Sequence, residues 1–285
     1  MTPVLPYTAP PPASPTAQQP VVRFDDVNLT FGDTPALVHL SFTMRAGETR
    51  VVLGAAGSGK TMLLKSAVGL VAPDSGHISL FGEEVTGRKE SQLYDVRSKV
   101  GILFQEGGLF DSLTIAENVA YPLLNQHAGQ VPSPAEVDQR VRESLSFVEL
   151  EHTLDKFPSE LSGGMRRRVG IARAVVTAPQ LVLYDSPTAG LDPITANTII
   201  NLILKGRDLN NTATIMVTHR NQDGHLMANF RYNPDSGKIE RAESSQLTTR
   251  FFVMQEGRLY FEGSEAELRA KQDPYVEKFA RPGSS

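Results

Sequence analysis

Hydrophobic positions along the chain follow two rhythms, and their order sketches an α/β fold. From Val21 the rhythm is that of strands: Val22 and Phe24 alternate with polar neighbours, then Val27, Leu29 and Phe31 do so one register later. The slip predicts a strand with an irregularity at Asp25-Asp26. Gly32-Asp33-Thr34-Pro35 has turn chemistry, and Leu40 to Met44 resumes the alternation. Short apolar runs follow: Val51-Val52-Leu53, Val100 to Phe104, Leu181 to Tyr184 and Thr214 to Thr218. These read as core strands, and the run closing on Asp185 has the continuous apolar pattern of a central parallel strand. Pro73-Asp74-Ser75-Gly76 is a turn before a strand at Ile78 to Gly82, and Phe251 to Met254 and Arg258 to Phe261 turn at Glu256-Gly257.

The helical rhythm fills the gaps. Met62 to Leu70 is amphipathic, Gly87 to Ser98 is charged and partly helical, and Leu113 to Val169 reads as an inserted helical region. Within it, Ser133-Pro134-Ala135-Glu136 has capping-box spacing with proline at the first helical position, followed by Val137, Val141 and Leu145. Phe230 to Ile239 looks like a hairpin with a polar turn, and the polar stretch Glu240 to Arg250 follows it. A solvent-exposed insertion is the plainer reading there, a partner surface the other. Glu265 to Lys271 and Asp273 to Ala280 read as short helices, the second suited to packing on a partner subunit.

The chemistry gathers where strands end. Gly54-Ala55-Ala56-Gly57-Ser58-Gly59-Lys60-Thr61 joins a buried strand to a helix and reads as a phosphate-binding loop, its glycines letting backbone N–H groups close on an anion. Lys60 supplies charge to the β/γ-phosphates and the Thr61 hydroxyl suits Mg²⁺. Asp185 closes a core strand and completes a Mg²⁺ shell with such a threonine. Gln105, at another strand end, is a candidate Mg²⁺ or water contact, and His219 stands just past a third. Phe31 is the candidate to stack on an adenine ring. Ser162-Gly163-Gly164 opens a helix with free N–H groups that suit an anion, whereas Arg166 to Arg168 reads as a solvated helix face. Ala189 to Pro193 is a turn before a further helix.

Composition narrows the setting. The chain has 285 residues, a net charge of −4 and no cysteine, so no global basic field argues for nucleic acid and no disulfide or thiolate metal site exists. No apolar run approaches the length of a membrane span, and no secretory pattern opens the sequence. A soluble cytosolic protein is the expectation. Met1 to Pro20 is proline-rich and nearly uncharged, which predicts a disordered tail.

These motifs in this order resemble the nucleotide-binding subunits of ABC transporters, over about Val21 to Gly263; Leu161-Ser162-Gly163-Gly164 separates that class from other P-loop ATPases. The resemblance implies a P-loop NTPase (RecA-like) core with an antiparallel β-subdomain and an inserted helical subdomain, about 106–170. The hairpin at about 229–250 departs from it, since the family is usually shorter after the switch histidine, and 264–285 reads as a C-terminal helical extension. It also implies roles: Phe31 for adenine stacking, Gln105 as the Q-loop glutamine, Asp185 as the Walker B aspartate, Asp192 as the D-loop aspartate and His219 as the switch histidine. A homodimer would sandwich ATP and Mg²⁺, with Ser162, Gly163 and Gly164 of one copy facing Gly54 to Thr61 of the other.

Finer motifs are similar to the Mla-type ATPases: Leu103 to Phe110, Glu117-Asn118-Val119-Ala120-Tyr121-Pro122-Leu123, Leu161 to Met165, Leu191 to Thr195 and Asp273-Pro274-Tyr275-Val276. That family drives phospholipid or other lipid transport with an integral-membrane permease, an MCE-domain substrate-binding protein and a small accessory subunit. It is peripheral on the cytoplasmic face of the bacterial inner membrane. Phe104 to Leu123 lies where the family meets its permease.

One departure touches mechanism. The family places glutamate after the Walker B aspartate, but Asp185 is followed by Ser186, whose hydroxyl is too weak a base near neutral pH. Three readings stand: a degenerate site, an engineered trap for the ATP-bound dimer, or another base, with Glu106 the first candidate against its reading as a solvated loop carboxylate. The rival functions are the ATPase of another importer, such as an amino-acid importer, and a non-hydrolysing ATP-dependent switch. A DNA-repair or translation ABC protein fits less well.

Overall fold

The computed structural model describes residues 19–105, 107–125, 132–243 and 248–280. Most of the segment read as a disordered tail, up to residue 18, therefore lies outside the described residues, as do Glu106 and residues 244–247 of the polar stretch after the hairpin. In chain order the strands are β1 (Val22–Phe31), β2 (Thr34–Met44), β3 (Thr49–Gly54), β4 (Ser75–Leu80), β5 (Glu83–Glu84), β6 (Val100–Leu103), β7 (Leu181–Asp185), β8 (Ala213–Val217), β9 (Phe230–Asn233), β10 (Lys238–Arg241), β11 (Thr249–Gln255) and β12 (Arg258–Gly263). The helices are α1 (Lys60–Ala67), α2 (Tyr94–Arg97), α3 (Ile115–Leu124), α4 (Pro134–Phe147), α5 (Gly163–Val175), α6 (Pro193–Asn210), α7 (Asn221–Asn229), α8 (Glu265–Ala270) and α9 (Pro274–Ala280).

The central sheet runs β12-β11-β3-β8-β7-β6, parallel from β11 to β6 with β12 antiparallel at the edge. Its strands are covered on both faces, and side chains alternate between two cores. Val51, Leu53, Val182, Tyr184 and Met216 face the core shared with α3 to α6, while Val52, Leu181, Leu183, Ile215 and Val217 face α1 and the second sheet. That second sheet, β2-β1-β4-β5, is antiparallel. Its β1 carries the expected slip: pairing with β2 shifts between Phe24 and Val27, and Asp26 turns to φ 49°. Because β3, β6, β7 and β8 are parallel, their carboxyl ends open on the same edge, and the candidate residues are delivered there.

The helical region is tied down by buried polar groups. Asn118 on α3 is fully buried; its Oδ1 accepts the Phe110 N–H at 2.8 Å and its Nδ2 donates to the carbonyls of Phe110, Leu113 and Thr114 at 3.0 Å. This fixes the loop that leaves β6. The β9–β10 hairpin is not a freely solvated insertion: Tyr232 is buried, its N–H donates to Asp208 Oδ2 at 2.7 Å, and Arg207 Nη2 donates to Phe230 O at 3.0 Å, so the hairpin lies on α6. Helix α9, expected to suit a partner subunit, packs within its own chain. Val276 is buried, the Tyr275 ring meets Tyr260 and Phe279, and Tyr275 Oη donates to Met254 O at 2.8 Å while accepting the Ala55 N–H at 3.3 Å.

At Gly101 on β6 the backbone of α5 comes close to the sheet. A Cβ there would lie 2.0 Å from Ala174 O and 3.1 Å from Pro179 Cγ. Overpacking of this kind costs about 1–3 kcal/mol, so Gly101→Ala is expected to lower the thermal midpoint by several degrees, roughly 2–4 °C per kcal/mol for a chain of this size. Differential scanning fluorimetry of parent and variant reads this directly.

Candidate functional site: a phosphate-binding cleft

The cleft at the carboxyl edge of the sheet begins with the glycines of the β3–α1 loop. At Gly54, φ is 148° and a Cβ would lie 2.4 Å from Met254 O; at Gly59, φ is 99° and a Cβ would lie 2.2 Å from Ala36 O. Only glycine fits either position. Gly59 caps α1, so the free N–H groups of that helix point into the cleft with the positive end of its dipole.

Lys60, the first residue of α1, is only 5 % exposed. Its Nζ donates to Gly54 O at 2.8 Å, Ala55 O at 2.7 Å and Ser58 Oγ at 3.3 Å, all neutral acceptors. Burial pushes the ammonium down to about 8, and the Asp185 carboxylate opposes the shift. Across the floor, both carboxylate oxygens of Asp185 accept from hydroxyls: Oδ2 from Thr61 Oγ1 at 3.0 Å and Oδ1 from Ser186 Oγ at 3.2 Å. The pairing brings together residues 124 positions apart. A hydroxyl and a carboxylate at adjoining positions form the hard oxygen set that Mg²⁺ takes.

The cleft, about 390 Å³, is lined by Ala56 to Met62, Asp185 and Ser186, with Phe31, Gln105 and His219 at its rim. Gly54 and Ala55 are not in its wall; they hold Lys60 from below through their carbonyls. Phe31 is 58 % exposed, beside Thr34 and Pro35, which the sequence marks only as a turn, and Ala36. Burial, then the Lys60 charge, lowers His219 below its ordinary value, against the pull of Asp185, which favours a neutral ring. Ser186 is 6 % exposed, its backbone sits at φ 50°, and its N–H donates to Val217 O at 3.0 Å. Among the described residues lining the cleft, Asp185 is the single carboxylate. Glu106, the candidate base, lies outside the described residues.

Ser162, Gly163 and Gly164 stand elsewhere. Ser162 caps α5 by accepting the Met165 N–H at 3.3 Å, and it and Gly163 are exposed. A Cβ at Gly164 would meet Thr195 Cγ2 at 2.7 Å, at the start of α6. There Asp192 caps α6, accepting from the N–H groups of Ile194 and Thr195 at 3.0 Å; hydrogen bonding from Thr195 holds its carboxyl below the usual range. The signature and Asp192 thus share a surface outside the cleft, beside Ile194, which is 80 % exposed.

The arginine run is not the solvated face its sequence suggests. Arg167 is 6 % exposed and donates from Nη2 to Ala189 O at 3.0 Å, while Arg166 and Arg168 donate to Leu161 O and Val148 O. Backbone carbonyls after β7, after α4 and just before α5 itself supply the acceptors. Asp223 was also missed. It resembles an ordinary first-turn helix carboxylate, but it is fully buried, and burial pushes its pKa up against hydrogen bonds from Thr188 and Thr218.

Comparison with known proteins decides the family. The ABC transporter family model matches residues 37–189, more than half of the chain. The chain belongs to the ABC transporter ATP-binding family. This ABC cassette is 32 % identical over 259 residues to the intermembrane phospholipid transport system ATP-binding protein MlaF of Escherichia coli K12, covering 91 % of the chain and 88 % of MlaF. It is 37 % identical over 198 residues to the probable ribonucleotide transport ATP-binding protein mkl of Mycobacterium tuberculosis, over 70 % of the chain; the cassette spans about half of that relative, 54 %. The methionine import ATP-binding protein MetN of Rhizobium etli is 36 % identical over 238 residues, 82 % of the chain and 63 % of MetN. In structure, a dimeric ATP-binding cassette in a post-hydrolysis state with ADP and Pi superposes with a TM-score of 0.71 at 27 % identity, over 85 % of the chain and 98 % of the neighbour. CbiO1 of Clostridium perfringens gives 0.72 at 26 %, over 93 % and 96 %. The fold is that of a P-loop NTPase, and the family is one of ATPases coupled to transport.

The Lys60 shift carries a pH dependence. Phosphate oxygens beside the ammonium raise its pKa relative to the free protein, so binding takes up a proton above about pH 8. MgATP affinity is therefore expected to be full below that pH and to fall above it, by up to about tenfold per pH unit. Isothermal titration across this range checks it, with Lys60→Ala expected to bind weakly and with a flat profile.

Proposed function

We propose that this ABC ATPase powers a lipid-transport complex. It would act as a homodimer on an integral-membrane permease, with an MCE-domain protein and a small accessory subunit as further partners, at the cytoplasmic face of the bacterial inner membrane. The observation that carries the mechanism is the split of the motifs: the phosphate loop, Asp185, Gln105 and His219 meet in one cleft, while Ser162 to Gly164 stand on a separate surface. A second copy is the natural source of the missing half. The dimeric form of the structural neighbour supports this.

Roles follow from the geometry. The N–H groups of Gly57 to Thr61 would receive phosphate oxygens and Lys60 would add its charge. Thr61 and Asp185, with Gln105 from the rim, would hold Mg²⁺, which when bound spreads the phosphate charge. Gln105 and His219 flank the phosphate end, where a neutral imidazole can orient water or a phosphate oxygen. Ser186 hydrogen-bonds Asp185 and cannot take a proton from water near neutral pH. The loss of a general base slows turnover by about 10²–10⁴-fold.

The lipid reading is supported by the similarity to MlaF, which spans nearly the whole of both proteins. A groove lined by Tyr94, Arg97, Pro122, Asn125 and Arg173, beside the exposed Phe110 and Tyr121, fits the permease contact. Among the described residues no helix is long and apolar enough to cross a membrane. MetN-like similarity keeps an amino-acid importer as the alternative cargo. Ser186 favours a second mechanistic reading, an ATP-dependent clamp that hydrolyses slowly.

The test is reconstitution of the chain with its permease in proteoliposomes carrying a fluorescent phospholipid. Phospholipid movement on ATP addition is the expected result; movement of an amino acid instead would overturn the lipid assignment. In single-turnover hydrolysis, Ser186→Glu is expected to exceed the parent by at least about tenfold. Equal rates would show that another group supplies the base.

A further inference from the structure

Asp223 is a carboxylate without solvent contact, and the chemistry above gives it no part. It lies in the first turn of α7, next to Gly224, where a Cβ would come 2.7 Å from the Phe251 ring, so the helix presses directly on the sheet. Two hydroxyls from different loops converge on its Oδ2. Thr188 Oγ1 donates in a close hydrogen bond, and Thr218 Oγ1 donates at 2.8 Å. Thr188 belongs to the loop that leaves β7 through Ser186, and Thr218 immediately precedes His219. Thr218 Oγ1 also accepts the Arg220 N–H at 3.1 Å, and the Asp223 N–H closes the turn onto Arg220 O at 3.1 Å. Groups held by Asp223 thus flank His219 on both sides.

The arrangement is costly. Oδ1 faces Arg220 Nη1 at 3.7 Å, beyond hydrogen-bond reach, and a buried carboxylate with an unsatisfied oxygen destabilises the fold. Apolar packing could fill the same space at lower cost. What apolar packing cannot do is draw two hydroxyls on separate loops to one point.

We propose that Asp223 is a positioning residue of the ATP site: it clips the Ser186–Ala189 loop to the His219 turn and so sets the spacing between the two walls of the phosphate end. The backbone bond from Ser186 N–H to Val217 O holds the loops side by side, and the Thr188–Asp223–Thr218 bridge fixes the rotation of the turn that carries the imidazole. The inference rests on the cleft being the nucleotide site.

The experiment uses the full chain and the variants Asp223→Asn, Thr188→Val and Thr188→Ser. The ring ¹⁵N resonances of His219, assigned with His219→Gln, are recorded without nucleotide at fixed pH; MgATP affinity, single-turnover hydrolysis and thermal midpoint are measured alongside. In Thr188→Val the His219 resonances are expected to move. Hydrolysis is expected to fall by about tenfold or more, as for small misplacements of reacting groups, with MgATP affinity within about threefold of the parent. Thr188→Ser, which keeps the donor, restores both, and Asp223→Asn lies between if it folds. The proposal is overturned if the His219 resonances of Thr188→Val superimpose on those of the parent, or if Thr188→Ser behaves like Thr188→Val in step with thermal stability. A parent chain that binds no MgATP would overturn the nucleotide reading instead, and the resonance comparison would still decide whether the clip exists.

Discussion

A partly desolvated ammonium and a buried carboxylate face one cleft, and the rest of the structure depends on that pairing. Lys60 is held by neutral carbonyls and Asp185 by two hydroxyls, so neither charge is neutralised by direct contact with the other. In such a setting the field of each reaches the space between them with little screening. A phosphate would draw on the charge of the ammonium, and a divalent cation on that of the carboxylate. The parallel sheet delivers the ends of β3 and β7 to the same edge, and the close backbone approaches at Gly54 and Gly59 fix the path of the loop.

The second constraint is separation. The same chain that builds the phosphate cradle carries Ser162 to Gly164 on α5, facing away from it, and ties the two regions through the buried Arg167 guanidinium on the Ala189 carbonyl. Arg167 thereby connects the helix that would face a partner's nucleotide to the loop that borders this chain's own. Asp223 makes a second connection to that same loop, joining it through Thr188 to the His219 turn through Thr218. Both are buried polar groups that stand outside the cleft's lining and bind the loop that borders it.

Much of this was legible in the sequence. Continuous apolar runs gave the parallel strands because both faces are buried, and the slip at Asp25-Asp26 gave the irregular β1 because alternation must break where pairing does. That the phosphate loop, Asp185, Gln105 and His219 would meet at one edge was readable because all of them stand at strand ends, which local patterns locate. Arg167, Asp223 and α9 were not. Their meaning is set by partners distant in the chain, Ala189, Thr188 and Ala55, and a charged residue on a helix looks the same in sequence whether water or a carbonyl awaits it. The hairpin shows the same limit, since its burial depends on Asp208 and Lys205 of α6.

On the proposed function, one chain holds half of each ATP site and MgATP closes two chains on each other. Sedimentation velocity of the purified chain with MgATP, with MgADP and without nucleotide tests it most directly. A shift from monomer to dimer with MgATP alone, abolished by a bulky replacement at Ser162, is the expected result. Saturating MgATP binding with no change in mass would contradict the claim.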